Sequence, residues 1–241
     1  MERMMNISLI ELKKIIRKKE FLIGVLMILL MGGGMTYGAY IFPKNFGVQN
    51  VIAFYGNFAS VLLMFIAAKC LGEEFDLKTV TFVFTSRSKR WQIISGKIIS
   101  IVFANIVVGI LGGLLYDVAL IICTDNWSVE SLVKSTLKIV LIYIIYGFDI
   151  VAAAVMFTCF INTTITPFVC LIVLFWLMPG ILRIIAQKIP ALAKALDYLV
   201  FCISDSFLMY QDSSVKNIVV FMLTGLVFSA IGLMAFERKD L

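Results

Sequence analysis

Residues 98–123 read IISIVFANIVVGILGGLLYDVALIIC and contain one charged side chain, Asp117. About 20 consecutive apolar residues allow a helix to cross the hydrocarbon core of a bilayer, where the helix satisfies its own backbone hydrogen bonds. The stretch therefore predicts a membrane-spanning helix. Five further stretches of the same kind are Phe21–Phe42, Val48–Leu71, Ile139–Ile161, Phe168–Ile189 and Asn217–Phe236.

The composition of the whole chain agrees with this prediction. The 241 residues are 61% hydrophobic and 15% charged, with a mean hydropathy of +1.02, whereas soluble domains carry about 25% charged residues. Histidine is absent, and no G-x-x-x-x-G-K-[ST] phosphate loop occurs. We expect one all-α, polytopic transmembrane domain over residues 1–241, which is not an enzyme, holds no cofactor or metal of its own and binds no nucleic acid.

The distribution of basic residues predicts the orientation. The N-terminal segment, the connection between the second and third spans with Lys69 just before it, and the C-terminal tail together hold 14 Lys and Arg residues, and the opposite face holds 7. Loops rich in Lys and Arg remain in the cytoplasm. Both termini are therefore predicted to be cytoplasmic.

The segment before the first span predicts a helix over residues 6–20. Ser8 and Glu11 have the spacing of a capping box, and one helical face collects apolar side chains, namely Leu9, Leu12, Ile15 and Ile16. The basic residues lie elsewhere on the helix, which is typical of a helix lying on the inner leaflet. The alternative is an ordinary basic flank that only sets the topology.

Two connections are longer than a turn requires. Residues 72–97, GEEFDLKTVTFVFTSRSKRWQIISGK, mix aromatic and charged side chains, which indicates a surface where a partner protein docks. The alternative is a short helix packed back on the bundle. Residues 190–216 contain the interrupted apolar stretch Ala191–Ile203, which predicts a re-entrant or outer-leaflet helix pair.

A carboxylate inside a predicted span is an unusual feature. Asp149 lies near the middle of the fourth span, where a charge costs roughly 2.5–3.5 kcal/mol on insertion scales. One hypothesis places Asp149, with Asn57 and Tyr146, on a translocation pathway. The other gives Asp149 a structural role, protonated and engaged in an interhelical hydrogen bond, for instance to Asn57 or Tyr146.

Small residues and one proline predict how the spans pack. Gly34 and Gly38 have the G-x-x-x-G spacing that lets two helices approach closely, either at a subunit boundary or within the chain. Gly109 and Gly113 repeat that spacing in the third span. The pair Pro179-Gly180 predicts a break or a bend in the fifth span.

The order of these features resembles that of ABC-2 type permeases, the membrane subunits of ATP-driven exporters. The resemblance covers essentially the whole chain, and its local motif is carried by Glu73, Glu74, Thr79, Ser86, Arg90, Trp91, Gly96 and Lys97. The chain departs from the family at two places. The family often has glycine where Lys78 stands and proline where Arg87 stands.

The resemblance implies partners and a site. A coupling helix, about Phe75–Thr85, would sit in a groove of a separate ATPase subunit, two copies of which would hold ATP and Mg. Two permease subunits, expected to be a homodimer in a bacterial plasma membrane, would form the pathway near spans one and five. The residues that would couple to the ATPase are Glu73, Glu74, Phe75, Thr79, Phe82, Phe84, Arg87, Arg90 and Trp91.

The resemblance also implies a range of substrates. Stand-alone permeases of this kind in Gram-positive bacteria often export peptides, including bacteriocins and cytolytic peptides, sometimes as self-protection. The alternatives within the family are lipid-linked glycans and small-molecule drugs. Two alternatives of another class are a non-transporting immunity protein that sequesters a peptide and a carrier driven by an ion or proton gradient.

Overall fold

The computed structural model describes residues 2–79, 90–124, 127–189, 195–196 and 198–238, with side chains from residue 4 onward. The regular structure of this part of the chain is entirely helical, which confirms the all-α prediction. The helices are α1 (Glu2–Arg17), α2 (Lys19–Ile41), α3 (Val48–Asp76), α4 (Arg90–Cys123), α5 (Val129–Ile161), α6 (Ile165–Ile172), α7 (Met178–Lys188), α8 (Val200–Leu208) and α9 (Val215–Glu237). A π-helical turn, Val173–Leu177, joins α6 to α7.

Within the described residues, six helical segments are long and apolar enough to cross a membrane. They are α2, α3, α4, α5, the continuous segment Ile165–Lys188 and α9, and each of them overlaps one of the six predicted stretches. The fold is therefore that of a multi-pass membrane protein. Helix α1, the end of α3, the start of α4 and the end of α9 meet at one end of the bundle, which we call the terminal end. We call the opposite end the far end.

The buried core is formed by α3, α4 and α5, whereas α2, α6–α7 and α9 lie at the periphery. Glycines allow α4 and α5 to pack closely. A Cβ at Gly109 would lie 3.0 Å from Tyr143 Cβ, and one at Gly113 would lie 2.8 Å from a side-chain atom of Thr136. These two glycines thus lie at a helix crossing, as their spacing predicts.

Gly34 and Gly38 occupy a different environment. No atom of the described residues lies within 4 Å of a Cβ built at either position. The glycine of α2 that packs inside the bundle is Gly32, whose added Cβ would overlap the Leu115 side chain. The Gly34 and Gly38 face therefore remains open, and its contact with a second subunit stays a prediction.

Helix α1 begins earlier than predicted. It starts at Glu2, so Ser8 lies in its interior, where the Ser8 hydroxyl donates to the Met5 carbonyl at 2.8 Å. The capping-box prediction is therefore wrong, since a full turn of helix precedes Ser8. The helix ends at Arg17, where the Lys18 N–H donates to the Ile15 carbonyl, and α2 starts at once.

One face of α1 packs on the start of α4. Ile15 is buried, and Ile7 lies against Gly96, where an added Cβ would come within 2.9 Å of an Ile7 methyl group. Leu9, by contrast, is 54% exposed, so the buried face is rotated from the predicted one. The rotation brings the polar side chain of Glu11 toward the bundle, where it has a charged partner.

The fifth span is disturbed one turn before the predicted position. The helix continues through Pro179 and Gly180, and the π-helical turn lies immediately before them. Proline has no N–H to donate to the carbonyl four residues earlier, which here belongs to Phe175. The Ser204 hydroxyl of α8 lies 3.3 Å from that carbonyl and 2.7 Å from the Phe201 carbonyl of its own helix, so its single proton is shared between two acceptors. Helix α8 thus lies against the middle of the fifth span.

Helix α8 is the described part of the predicted outer helix pair. It packs into the bundle among α5, α7 and α9, where the ring of Phe207 stacks on Phe221 with a centroid distance of 4.4 Å. Residues 190–194 and 197 of the predicted pair lie outside the described residues.

Candidate functional site

A buried ion-pair cluster lies at the terminal end, and we call its three residues, Lys97, Glu74 and Glu11, the lysine cluster. Lys97 Nζ lies 2.7 Å from Glu74 Oε1 and 3.6 Å from Glu11 Oε2, and it donates to the Cys70 carbonyl at 2.9 Å. Lys97 is 1% exposed and Glu74 is 6% exposed. The Lys97–Glu74 pair therefore joins α3 to α4 out of contact with solvent, and the longer contact with Glu11, whose side chain is 18% exposed, adds α1.

Two further ion pairs lie beside the lysine cluster. Lys18, at the break between α1 and α2, pairs with Glu73 of α3, and Lys69 of α3 pairs with Glu20 of α2 at 2.7 Å. These pairs are partly exposed, and pairs of that kind stabilise proteins little. A buried pair is different, because removal of one partner leaves an uncompensated charge in a medium of low dielectric constant.

The predicted coupling residues divide between the bundle and the surface. Glu74 points inward to Lys97, and the ring of Phe75 packs against Phe236 with a centroid distance of 6.4 Å. Trp91 is 44% exposed. Arg90 donates to the Glu237 carbonyl at 3.4 Å, which joins the start of α4 to the end of α9.

The described part of the predicted coupling helix contains the end of α3 and a capping turn. The Lys78 N–H donates to the Phe75 carbonyl, and the Thr79 N–H donates to the Glu74 carbonyl. Lys78 has a φ of 55°, a left-handed conformation that glycine adopts most readily. The remaining predicted residues, Phe82, Phe84 and Arg87, lie outside the described residues.

A groove runs along one side of the bundle between α2, α3 and the α6–α7 segment. Across it, the indole N–H of Trp176 donates to Asn57 Oδ1 at 2.6 Å. Phe65 and Phe168 form an edge-to-face pair in the same groove with a centroid distance of 5.5 Å. The lining is otherwise apolar and includes Gly24, Met27, Phe58 and Val61.

Asp149 lies inside the bundle and not in this groove. It is fully buried, and its Oδ1 accepts a hydrogen bond from, or donates one to, the Thr224 hydroxyl of α9 at 2.9 Å. Tyr146 is buried as well, and its hydroxyl is hydrogen-bonded to Ser60. The structure thus separates Asn57 from Asp149.

The hydrogen-bond partner predicted for Asp149 is therefore wrong, because the partner is Thr224. The sequence holds one signal that could have found it, namely a hydroxyl residue in the middle of an apolar span. The role of Lys97 was also missed. Its signal is a lysine directly before a long apolar run, combined with an acidic residue, Glu11, within a basic helix.

The fold defines the class of this protein as a helical, multi-pass membrane protein. No protein-family model matches the sequence, and no curated protein matches it. Among the described side chains, no group of three Cys, Asp or Glu residues is arranged so that it could hold a metal ion. The geometry that remains to be explained is the lysine cluster, the groove and the buried acid.

Proposed function

We propose that this chain is the permease subunit of an ABC-2 type, ATP-driven exporter in a bacterial plasma membrane. In this proposal the terminal end faces the cytoplasm, and α1 lies at the inner leaflet. Residues 72–97 carry the coupling helix, and residues 190–216 form a helical insertion on the outer side.

The observation that carries the proposal is the position of the lysine cluster. The segment that joins α3 to α4 begins three residues after Glu74 and ends eight residues before Lys97. Because Lys97 also pairs with Glu11 of α1, a partner that pulls on this segment would move three helices as one unit. Such an attachment suits a subunit that receives mechanical work from a separate ATPase.

The backbone at Lys78 supports the resemblance to the ABC-2 family. That family often has glycine at this position, and Lys78 adopts the left-handed conformation that favours glycine. A turn that needs this conformation ends α3 sharply and directs the following residues away from the helix axis. At position 78 this chain therefore differs from the family in its side chain but keeps the backbone conformation that a glycine would adopt.

The groove supports a pathway shared by two subunits. It is open on one side, and the helices on either side of it, α2 and the α6–α7 segment, are the predicted first and fifth spans. A second copy of the chain would close it, and two ATPase copies would hold the ATP and Mg. The apolar, aromatic lining with one polar pair, Asn57 and Trp176, suits an amphipathic peptide.

Purification of the full-length chain from its own membranes tests the partner. We expect a subunit with a phosphate loop to co-purify, and we expect the complex in liposomes to hydrolyse ATP faster when amphipathic peptide is added. Trp91→Ala should weaken this association. Trp127→Ala is the matched control, because Trp127 is 46% exposed at the far end, against 44% for Trp91.

Three results would overturn the proposal in different ways. Unchanged coupling after replacement of the charged and aromatic residues of segment 75–91 would remove the coupling role of that segment. Gradient-driven transport by the chain alone, sensitive to Asp149→Asn, would identify a carrier. Peptide binding without flux would identify an immunity protein. Stimulation by lipid-linked glycans or drugs in place of peptide would keep the class and change the substrate.

A further inference from the structure

Asp149 occupies a site with unusual hydrogen bonding, at the crossing of α5 and α9. Its Oδ1 lies 2.9 Å from the Thr224 hydroxyl oxygen, and its Oδ2 has no hydrogen-bond partner among the described residues. The side chain is completely buried, near the middle of a span. A buried carboxyl group with one neutral partner needs an explanation, because an ionised carboxylate is costly in such a medium.

A count of protons at Thr224 provides that explanation. Its hydroxyl oxygen lies 2.8 Å from the Val220 carbonyl and 3.1 Å from the Phe221 carbonyl, and these oxygens can only accept. A threonine inside a helix commonly donates its single proton to the carbonyl four residues earlier. When the Thr224 proton is used there, the short contact with Asp149 requires a proton that Asp149 supplies.

Helix α9 crosses α5 closely at Asp149. Helix α9 approaches so closely that a Cβ added to Gly225 would lie 2.7 Å from Phe148 and 3.4 Å from the Asp149 Cα. A proton needs no coordination sphere and fits such a crossing. A hard metal cation takes about six or more oxygen ligands, whereas the described residues place one hydrogen-bonding oxygen, that of Thr224, beside the carboxyl group.

The charged groups around Asp149 agree with a neutral acid. None of the Lys or Arg residues in the described ion pairs reaches it. On its own helix the titratable neighbour is Tyr146, and α9 offers the hydroxyl of Thr224. The charged residue of α8 is Asp205, which lies near Tyr146 and is itself paired with Arg183 at 3.6 Å. No cation therefore compensates an ionised Asp149 within this part of the structure.

We propose that Asp149 is a proton-binding site: a neutral carboxylic acid that donates to Thr224, which in turn donates to the Val220 carbonyl. This chain of hydrogen bonds fastens α5 to α9. The inference does not depend on the proposed export function, since it holds for a carrier or a scaffold as well. It does limit Asp149 as a binding group, because a positive substrate group could reach it only by opening the α5–α9 crossing and displacing the proton.

Infrared spectroscopy of the full-length chain in phosphatidylcholine liposomes at neutral pH tests the proposal. We expect the wild type to show a carbonyl stretching band of a protonated carboxylic acid that Asp149→Asn lacks. Thr224→Val should shift this band to higher frequency, since the acid loses its acceptor. Thr158→Val is the matched control, because the Thr158 hydroxyl donates to the Ala154 carbonyl at 2.8 Å in the same way.

For each variant, one spectral result would contradict the proposed neutral acid or its hydrogen bond. Loss of a carboxylate band, and not of an acid band, in Asp149→Asn would show that Asp149 is ionised and would overturn the proposal. An acid band that Thr224→Val leaves in place would overturn the hydrogen-bond chain. The Thr224→Val spectrum retains Asp149, so the test survives even when Asp149→Asn fails to fold. A shift caused by Thr158→Val would mean that the band reports general packing and would count against the assignment.

Discussion

Replacement of Lys97 by methionine tests whether the lysine cluster holds the terminal end together. Methionine keeps the length of the side chain and removes its charge, so packing changes little while two carboxylates lose their cation. Glu74 is 6% exposed, and its Oε2 already lacks a partner among the described residues. Lys97→Met therefore leaves a buried carboxylate with no compensating charge.

The expected loss is large for a single substitution. Breaking a buried ion pair by removing one partner destabilises proteins by about 3–5 kcal/mol, or roughly 6–20 °C in thermal midpoint for a chain of this length. Glu74→Gln in the Lys97→Met background should restore much of that loss, because the unpaired charge disappears. Glu11→Gln should restore less, since Glu11 lies farther from Lys97, at 3.6 Å, and its side chain is 18% exposed.

The assay is thermal unfolding in detergent, followed by circular dichroism, for Lys97→Met and for its double variants with Glu74→Gln and with Glu11→Gln. Lys69→Met is the matched control, because Lys69 pairs with Glu20 at 2.7 Å in a partly exposed position of the same region. The reasoning is refuted when Lys97→Met lowers the midpoint no more than Lys69→Met does. It is also refuted when the double variant with Glu74→Gln is as unstable as Lys97→Met alone.

Four further substitutions test the packing that the structure shows. Gly147→Ala should destabilise the chain by about 1–3 kcal/mol, because its Cβ would overlap the Asn105 side chain. Gly33→Ala is the control and should change the thermal midpoint little, because a Cβ at Gly33 meets no neighbouring side chain among the described residues. Lys78→Gly should stabilise the chain by about 1 kcal/mol in the same unfolding assay, because the left-handed conformation disfavours lysine; a lower midpoint would contradict this. Asn57→Leu removes the acceptor of the Trp176 indole hydrogen bond across the groove and should lower the free energy of unfolding by roughly 0.6–1.7 kcal/mol. The tryptophan emission spectrum should shift relative to the wild type, and an unchanged spectrum would contradict the hydrogen bond.

The spans could be predicted from the sequence because the bilayer imposes a simple rule of length and hydropathy. The helices themselves extend beyond the predicted spans. Helix α4 begins at Arg90 and α5 at Val129, each several residues before the apolar stretch starts. Hydropathy reports only the part of a helix that is apolar, whereas local signals set its end. At α5 the signal is a capping box formed by Ser128 and Ser131.

The side-chain pairs could not be predicted in the same way, because they join residues far apart in the chain. In the sequence, Lys97 looks like the other basic residues of its connection. In the structure, α1 and α3 place two carboxylates beside it. Asp149 stood out by its charge alone, but its partner lies 75 residues away on α9. Each partner depends on which helices are neighbours and on how each helix is rotated, and a weakly periodic apolar span leaves both open.

The types of polar contact along the bundle indicate where a conformational change would occur. At the terminal end α3 and α4 are joined by a buried ion pair, which is expensive to break, and α1 is joined to them by a partly exposed one. Along the groove the contact between α3 and the fifth span includes one neutral hydrogen bond, Trp176 to Asn57, next to a π-helical turn and Pro179. Interhelical hydrogen bonds in membranes contribute only about 0.6 kcal/mol on average. A motion of this bundle should therefore keep the terminal end of α3 and α4 rigid and separate the fifth span from α3 at Trp176.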